Sequence, residues 1–87
     1  MNRWQLTPEA VDDLFDIWGY VARDNSAAAN SVEQTIYLAC DLLADSPLAG
    51  RTRGDLTPLP LRFWLVLPHK NYLIVYDPNE EPLRIMR

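Results

Sequence analysis

The sequence predicts a single α+β domain, in which a helical hairpin covers one face of a small, mostly antiparallel sheet in the order β-α-α-β-β-β. Two stretches of the first half carry apolar residues at helical spacing and are separated by a short polar break. Residues 61–77 hold two β-rich apolar runs around a turn cluster at 68–71, which is typical of a hairpin. With 87 residues, 48% of them hydrophobic, the chain is long enough for one modest core.

The first strand and the first helix are predicted from alternation and from helix-start signals. Residues 2–6 alternate, with Trp4 and Leu6 on the side that we expect to be buried. Thr7-Pro8-Glu9 favours a helix start, because the Thr hydroxyl caps free amides, Pro suits the first turn and Glu complements the helix dipole. The helix is predicted from Pro8 to about residue 23. Its apolar face is predicted to be Val11, Leu14, Phe15, Trp18, Val21 and Ala22.

The second helix follows a break at residues 24–26, where Asn25 or Ser26 can cap it. So short a link favours a helical hairpin. The helix should end at Ser46, because the residue before Pro47 is disfavoured in helical geometry. Its apolar face is predicted to be Ala28 or Ala29 with Val32, Ile36, Ala39, Leu42 and Leu43.

The rest of the chain is predicted to be a loop, the hairpin, a turn and a last strand. The loop at 48–60 contains two glycines and two prolines, and we expect its leucines, Leu48, Leu56 and Leu59, to dock on the core. The turn is placed at 78–82 and the last strand at 83–87, with Leu83, Ile85 and Arg87 on one face.

Charge is distributed unevenly along the chain. Residues 1–45 hold eight acidic and two basic residues, whereas residues 46–87 hold four acidic and six basic ones. We therefore expect the two halves to face different partners, and the net charge of −4 disfavours direct nucleic-acid binding. A single cysteine, Cys40, cannot form an internal disulfide, which favours a reducing cytoplasm. Neither a signal peptide nor an apolar run of membrane-spanning length is recognised, so no membrane association is expected.

Basic and tyrosine side chains recur through the second half. They begin at Gly50-Arg51-x-Arg53 and continue on the predicted strands. Arginines on a loop and on neighbouring strands can converge, and their guanidinium groups bind phosphate or carboxylate in a bidentate way. The alternative is a set of solvated arginines paired with Asp55, Asp77, Glu80 and Glu81. The candidate target-contacting residues are Arg51, Arg53, Arg62, Tyr76, Arg84 and Arg87.

The other residues that could have a chemical role are more simply explained as core or solvent-exposed residues. His69 lies in the predicted turn without an orienting partner in sequence, and Cys40 is most simply a core or boundary residue. The acidic residues Asp12, Asp13 and Asp16 suit a solvated helix face better than a metal site. We therefore predict no catalytic residue, no metal and no cofactor.

Two adjacent aromatic residues point to a binding surface. Phe63 and Trp64 are neighbours on a strand, so they face opposite sides of the sheet, and we expect the helices to cover one and a partner chain the other. Together with the groove between the two helices, this gives a set of candidate partner-binding residues. They are Val11, Leu14, Trp18, Ile36, Phe63 and Trp64.

Several segments, in their order and spacing, resemble the ParE/RelE superfamily of bacterial type II toxin-antitoxin modules. The resemblance covers essentially the whole chain, residues 1–87, and implies a RelE/ParE-like fold. Such toxins usually continue past the last strand with a His-containing basic segment, so we expect either a truncated chain or a lost tail. The matching segments are Leu6-Thr7-Pro8-Glu9-Ala10, Asp24-Asn25-Ser26-Ala27-Ala28, Ser46-Pro47-Leu48-Ala49-Gly50-Arg51, Leu61-Arg62 and Tyr72-Leu73-Ile74-Val75-Tyr76.

A ParE-type toxin, as the resemblance implies, blocks DNA gyrase by protein contact. It is neutralised in a hetero-oligomer by a ParD-like antitoxin, whose extended tail wraps around the helices and the sheet. One alternative is a RelE-like endoribonuclease that cuts messenger RNA on the ribosome, which the family implies needs several Lys and Arg residues. Lys70 is the single lysine here, which favours the ParE interpretation. The other alternative is a detoxified homologue that only binds an antitoxin.

Overall fold

A computed structural model describes residues 3–66 and 72–87. Two helices pack on one face of a five-stranded sheet, which confirms the predicted α+β class and element order. One short strand, β2, lies inside the segment that was predicted to be a loop. The elements are β1 (Trp4–Leu6), α1 (Pro8–Ala22), α2 (Ser26–Asp45), β2 (Arg51–Thr52), β3 (Arg62–Leu65), β4 (Leu73–Asp77) and β5 (Leu83–Ile85).

The strands lie in the order β1-β5-β4-β3-β2. β3 and β4 form the predicted antiparallel hairpin, and Trp64 pairs with Ile74 in its middle. The turn predicted at 68–71 lies outside the described residues. β1 runs parallel to β5, which makes the sheet mixed. The backbone N–H of Thr7 donates to the carbonyl oxygen of Ile85 at 3.0 Å and holds the start of α1 beside the last strand.

Both helices begin where the sequence indicates. The hydroxyl of Thr7 accepts the backbone N–H of Ala10 at 3.2 Å, with Pro8 in the first turn. At α2 the cap is Asn25, whose side-chain oxygen accepts the N–H of Ala28 at 3.0 Å. These side chains satisfy amides that have no partner within the helix, and this fixes where each helix starts.

The core is built from α2 and the strands more than from α1. α2 and the strands supply nearly all of its buried side chains, while α1 contributes Ala10 fully and Leu14 and Ile17 in part. The buried hydrophobic residues are Ala10, Ala29, Val32, Ile36, Cys40, Leu43, Val66, Ile74, Tyr76, Leu83 and Ile85.

Some predicted core positions are exposed. On α1, Val11 and Phe15 are 46% and 75% exposed. At about 100° per residue they lie roughly 100° and 140° around the helix from Ala10, so the apolar arc of α1 is wider than its contact with the core. Leu42 on α2 is also exposed, and the prediction that the loop leucines dock on the core is wrong. Those leucines, Leu48, Leu56 and Leu59, are all at least 60% exposed.

Candidate functional site

Two of the six candidate target-contacting side chains hold the chain between α2 and β2 in place. The hydroxyl of Tyr76 donates to the carbonyl oxygen of Pro47 at 2.7 Å and accepts the backbone N–H of Gly50 at 2.8 Å. Arg62 donates from Nη1 to the carbonyl oxygen of Gly50 at 2.7 Å and to that of Leu48 at 3.3 Å. We call Arg62, Tyr76, Pro47, Leu48 and Gly50 the loop clamp. Arg62 and Tyr76 thus have a structural role that the sequence did not reveal.

The loop clamp also explains why residue 50 is a glycine. A Cβ atom at Gly50 would lie 2.6 Å from the Tyr76 hydroxyl, 2.8 Å from its Cε1 and 3.0 Å from the carbonyl oxygen of Phe63. The φ angle of Gly50 is not positive, so space, and not backbone conformation, requires the glycine. Burial raises the pKa of Tyr76 above its ordinary value of 10.0, so its hydroxyl, already protonated at neutral pH, stays a donor to higher pH as well.

Two further candidate arginines are held in bidentate pairs with carboxylates. Arg53 donates from Nε and Nη2 to Asp55 at 2.9 and 2.8 Å. Arg87 donates from the same two nitrogens to Asp13 at 2.9 and 3.1 Å. These hydrogen bonds lower the pKa of both carboxyl groups. The sequence already suggested Asp55 as a possible partner of an arginine. The pairing of Arg87 with Asp13, 74 positions away, depends on the tertiary fold.

Arg51 and Arg84 are the two candidates left free. Both side chains are exposed, and neither makes an ion pair or a side-chain hydrogen bond within residues 3–66 and 72–87. In the sheet register Arg51 lies opposite Phe63, and Arg84 lies opposite Asp77. Since opposite residues share a face, both arginines lie on the side of the sheet that the helices do not cover.

That uncovered side of the sheet, which we call the open face, carries an apolar band. Phe63 pairs with Val75, and Leu65, 45% exposed, pairs with Leu73, 48% exposed. Trp64 points the other way and packs against the core, as expected for neighbours on a strand. A depression of about 530 Å³ lies at the β2 end of this band. Its lining residues are Ala49, Arg51, Arg53, Phe63, Trp64, Leu65 and Leu73.

A second exposed apolar surface lies on α1. Val11, Phe15 and Trp18 lie within about 60° of one another around the helix, and we call them the helix stripe. The indole Nε1 of Trp18 donates to the side-chain oxygen of Asn30 at 3.0 Å, which holds the stripe beside α2. The sequence pattern placed all three residues on the apolar face of α1 and named Val11 and Trp18, but not Phe15, as candidate partner-binding residues.

The two remaining candidates, Leu14 and Ile36, line a depression of about 450 Å³ between α1 and the sheet. Ile36 is only 9% exposed, so it is a core residue with one side toward this space. Asp13 and Arg87, the paired residues, also line it. A partner would therefore reach Ile36 only by entering the depression.

The other groups considered for chemistry fall into the core or outside the described residues. Cys40 is fully buried, and burial raises the pKa of its thiol to about 12, as expected for a core residue. Within residues 3–66 and 72–87, no three His, Cys, Asp or Glu residues lie together as metal ligands. No helix in those same ranges is long and apolar enough to cross a membrane. His69 and Lys70 lie outside the described residues.

The protein is a small α+β domain with two helices on one face of a five-stranded sheet. Both layers expose apolar side chains, and the open face carries two arginines without a partner in the described part of the chain. These are the surfaces of a protein-binding module. A family model, described as the ParE toxin of the type II toxin-antitoxin system parDE, matches residues 5–87. The chain therefore belongs to the ParE toxin family, which makes it the toxin of a type II module and implies an antitoxin partner. A comparison with curated proteins gave no match.

Proposed function

We propose that this toxin inhibits bacterial DNA gyrase by protein contact and that a ParD-like antitoxin neutralises it in a cytoplasmic hetero-oligomer. The observation that carries the proposal is the match of the ParE family model to residues 5–87. The geometry supports it through surfaces suited to protein contact, the helix stripe and the open face.

The helix stripe is the proposed antitoxin-binding surface. Phe15 is 75% exposed and lies one turn from Val11, so the two side chains offer a continuous apolar strip to an amphipathic helix. Covering these exposed side chains with a partner would lower the free energy by about 25 cal/mol per Å² of apolar surface buried. A partner that covers the whole stripe would therefore bind most tightly.

The partners of the candidate arginines favour inhibition by protein contact over cleavage of RNA. Arg53 and Arg87 are paired with carboxylates, and Arg62 is bound to backbone carbonyl groups. A ribonuclease needs several cations gathered around one scissile phosphate. Arg51 and Arg84 lie on strands β2 and β5, which are three strand spacings apart, or about 14 Å. Such spacing suits contacts spread over a protein surface.

A supercoiling assay with purified gyrase and the purified chain tests the target. We expect loss of supercoiling activity and a weaker effect with Arg51→Glu or Arg84→Glu. Arg23→Glu is the control, because Arg23 is an exposed arginine at the end of α1. Unchanged supercoiling at saturating toxin would refute gyrase as the target, and codon-phased cleavage in a primer-extension assay would favour the ribonuclease alternative.

Bacterial growth tests the antitoxin surface. We expect expression of the chain to stop growth and co-expression of the cognate antitoxin to restore it. Phe15→Asp should leave the toxin active but no longer neutralised. Tyr20→Asp is the matched control, because Tyr20 is 71% exposed on the same helix but lies about 140° from Phe15 around it. Growth without antitoxin would instead indicate a detoxified homologue.

A further inference from the structure

The depression on the open face combines three features that together specify a type of ligand. Its floor is apolar, with Phe63, Leu65 and Leu73 among its lining residues. The charged residues that line it are both arginines, Arg51 and Arg53. It lies beside β2, which is the last strand of the sheet on that side.

The charge at the depression is positive and only partly compensated. Asp55 neutralises Arg53 through its bidentate hydrogen bonds, whereas Arg51 has no such partner within the described residues. A guanidinium at the rim of an apolar floor binds a carboxylate more strongly than one in open water, because its surroundings are less polar. A ligand that complements this depression should therefore place an acidic group at Arg51.

The edge of the sheet sets the shape of the ligand. β2 pairs with β3 on one side, and within residues 3–66 and 72–87 no strand pairs with its other side. Its free backbone groups can pair with an added strand, as in β-augmentation. Ala49, which has a small side chain, also lines the depression.

We propose that this depression binds an extended acidic segment of a partner protein, which pairs with the free edge of β2. On one face of the segment, a carboxylate contacts Arg51 and an apolar side chain two residues away lies over Phe63 and Leu65. The alternation is required because residues i and i+2 of a strand share a face. This surface is separate from the helix stripe, and the proposal does not depend on gyrase being the target.

A labelled peptide tests the proposal directly. The probe is fluorescein-labelled Leu-Thr-Glu-Thr-Leu-Thr, which places the glutamate between two leucines on one face, and binding is followed by fluorescence anisotropy. We expect saturable binding below about 1 mM. Arg51→Glu should weaken it about tenfold, and a peptide with lysine for glutamate should then bind the Arg51→Glu variant better than the original peptide does. Arg23→Glu should change binding less than about twofold.

Two further changes test separately how much the apolar floor and the strand edge contribute to peptide binding. Leu65→Lys should abolish binding, whereas Leu38→Lys, at an exposed leucine on α2, should not. A peptide N-methylated on alternate backbone amides should lose binding, because it cannot pair with the edge. Circular dichroism checks that each variant is folded.

Several outcomes would overturn the proposal. They are absence of saturable binding at about 1 mM, equal binding of the lysine peptide to the unmodified toxin, retained binding by the N-methylated peptide, and unchanged affinity of the original peptide for Arg51→Glu. Displacement of the peptide by a single-stranded oligonucleotide at equal concentration would show a phosphate site. Displacement by a second copy of the chain, seen as a dimer in sedimentation, would show a self-association surface.

Discussion

Gly50 offers the sharpest test of the loop clamp, because Gly54, four residues later, is a matched control. Alanine at position 50 would bring a methyl group to 2.6 Å from the Tyr76 hydroxyl and 3.0 Å from the carbonyl oxygen of Phe63, whereas a Cβ at Gly54 meets nothing within 4 Å. Neither glycine has a positive φ angle, so neither substitution forces alanine into left-handed backbone. The difference between the two variants therefore measures the crowding at the clamp.

The magnitude follows from two unfavourable effects and one favourable one. Overpacking of this kind costs about 1–3 kcal/mol. If the Tyr76 ring moves away instead, its hydrogen bonds to Gly50 and Pro47 are weakened, at about 0.5–1.5 kcal/mol each. Against this, replacing glycine by alanine restricts the unfolded chain and stabilises by about 0.4–1 kcal/mol. We expect Gly50→Ala to lower the free energy of unfolding by about 1–3 kcal/mol and Gly54→Ala to leave it unchanged or raise it slightly.

Urea denaturation followed by tryptophan fluorescence gives both free energies of unfolding. For a domain of this size, the predicted loss corresponds to a lowering of Tm by about 5–20 °C. If the two variants agree within about 0.5 kcal/mol, the loop clamp is not a tight contact in solution and the account of Gly50 is wrong.

Three further predictions concern groups with defined partners. Tyr76→Phe leaves the buried N–H of Gly50 without an acceptor and should destabilise by about 1–3 kcal/mol in urea denaturation, whereas Tyr20→Phe, at an exposed tyrosine, should not. Hydrogen bonding to Arg87 lowers the pKa of Asp13 below its unfolded value near 3.8. The unmodified chain should thus be more stable than Asp13→Asn above about pH 4, and this difference should disappear as pH falls through the lowered pKa. It should also become smaller in high salt. Denaturation measured at several pH values and salt concentrations would show both effects. Because burial raises the pKa of Cys40 to about 12, iodoacetamide at pH 8 should alkylate the folded chain about a thousandfold more slowly than the urea-unfolded chain; equal rates would contradict its burial.

The helix starts and the hairpin could be predicted from sequence because their causes are local. Thr7 and Asn25 cap amides only three residues away, and the β3–β4 pair follows from two β-rich runs near one turn. β2 was missed because a two-residue strand has no periodicity of its own. Its position depends on the contacts of Tyr76, which is 26 residues from Gly50 along the chain.

The candidate site was predicted less completely for the same reason. Periodicity identified the apolar stripe on α1, but how much of such a stripe is covered depends on how α1 sits against α2. Residues such as Phe15 are exposed because that contact is narrower than the apolar arc. The exposed pair of Leu65 and Leu73 could have been found from the hairpin register, since it places the two leucines opposite each other.

The sequence by itself determined the α+β class, the helix caps, the hairpin and the resemblance to ParE toxins, because local spacing and short motifs carry these features. Only the tertiary structure decided what most of the candidate arginines do, since the pairing of Arg53 with Asp55 is local. In the fold, Arg87 pairs with Asp13, Arg62 donates to the loop carbonyl groups, and Arg51 and Arg84 on the open face have no partner among the residues that the structure describes. The physical reason is that a guanidinium group binds whichever acceptor the fold brings within about 3 Å, and that acceptor can lie far away in the sequence.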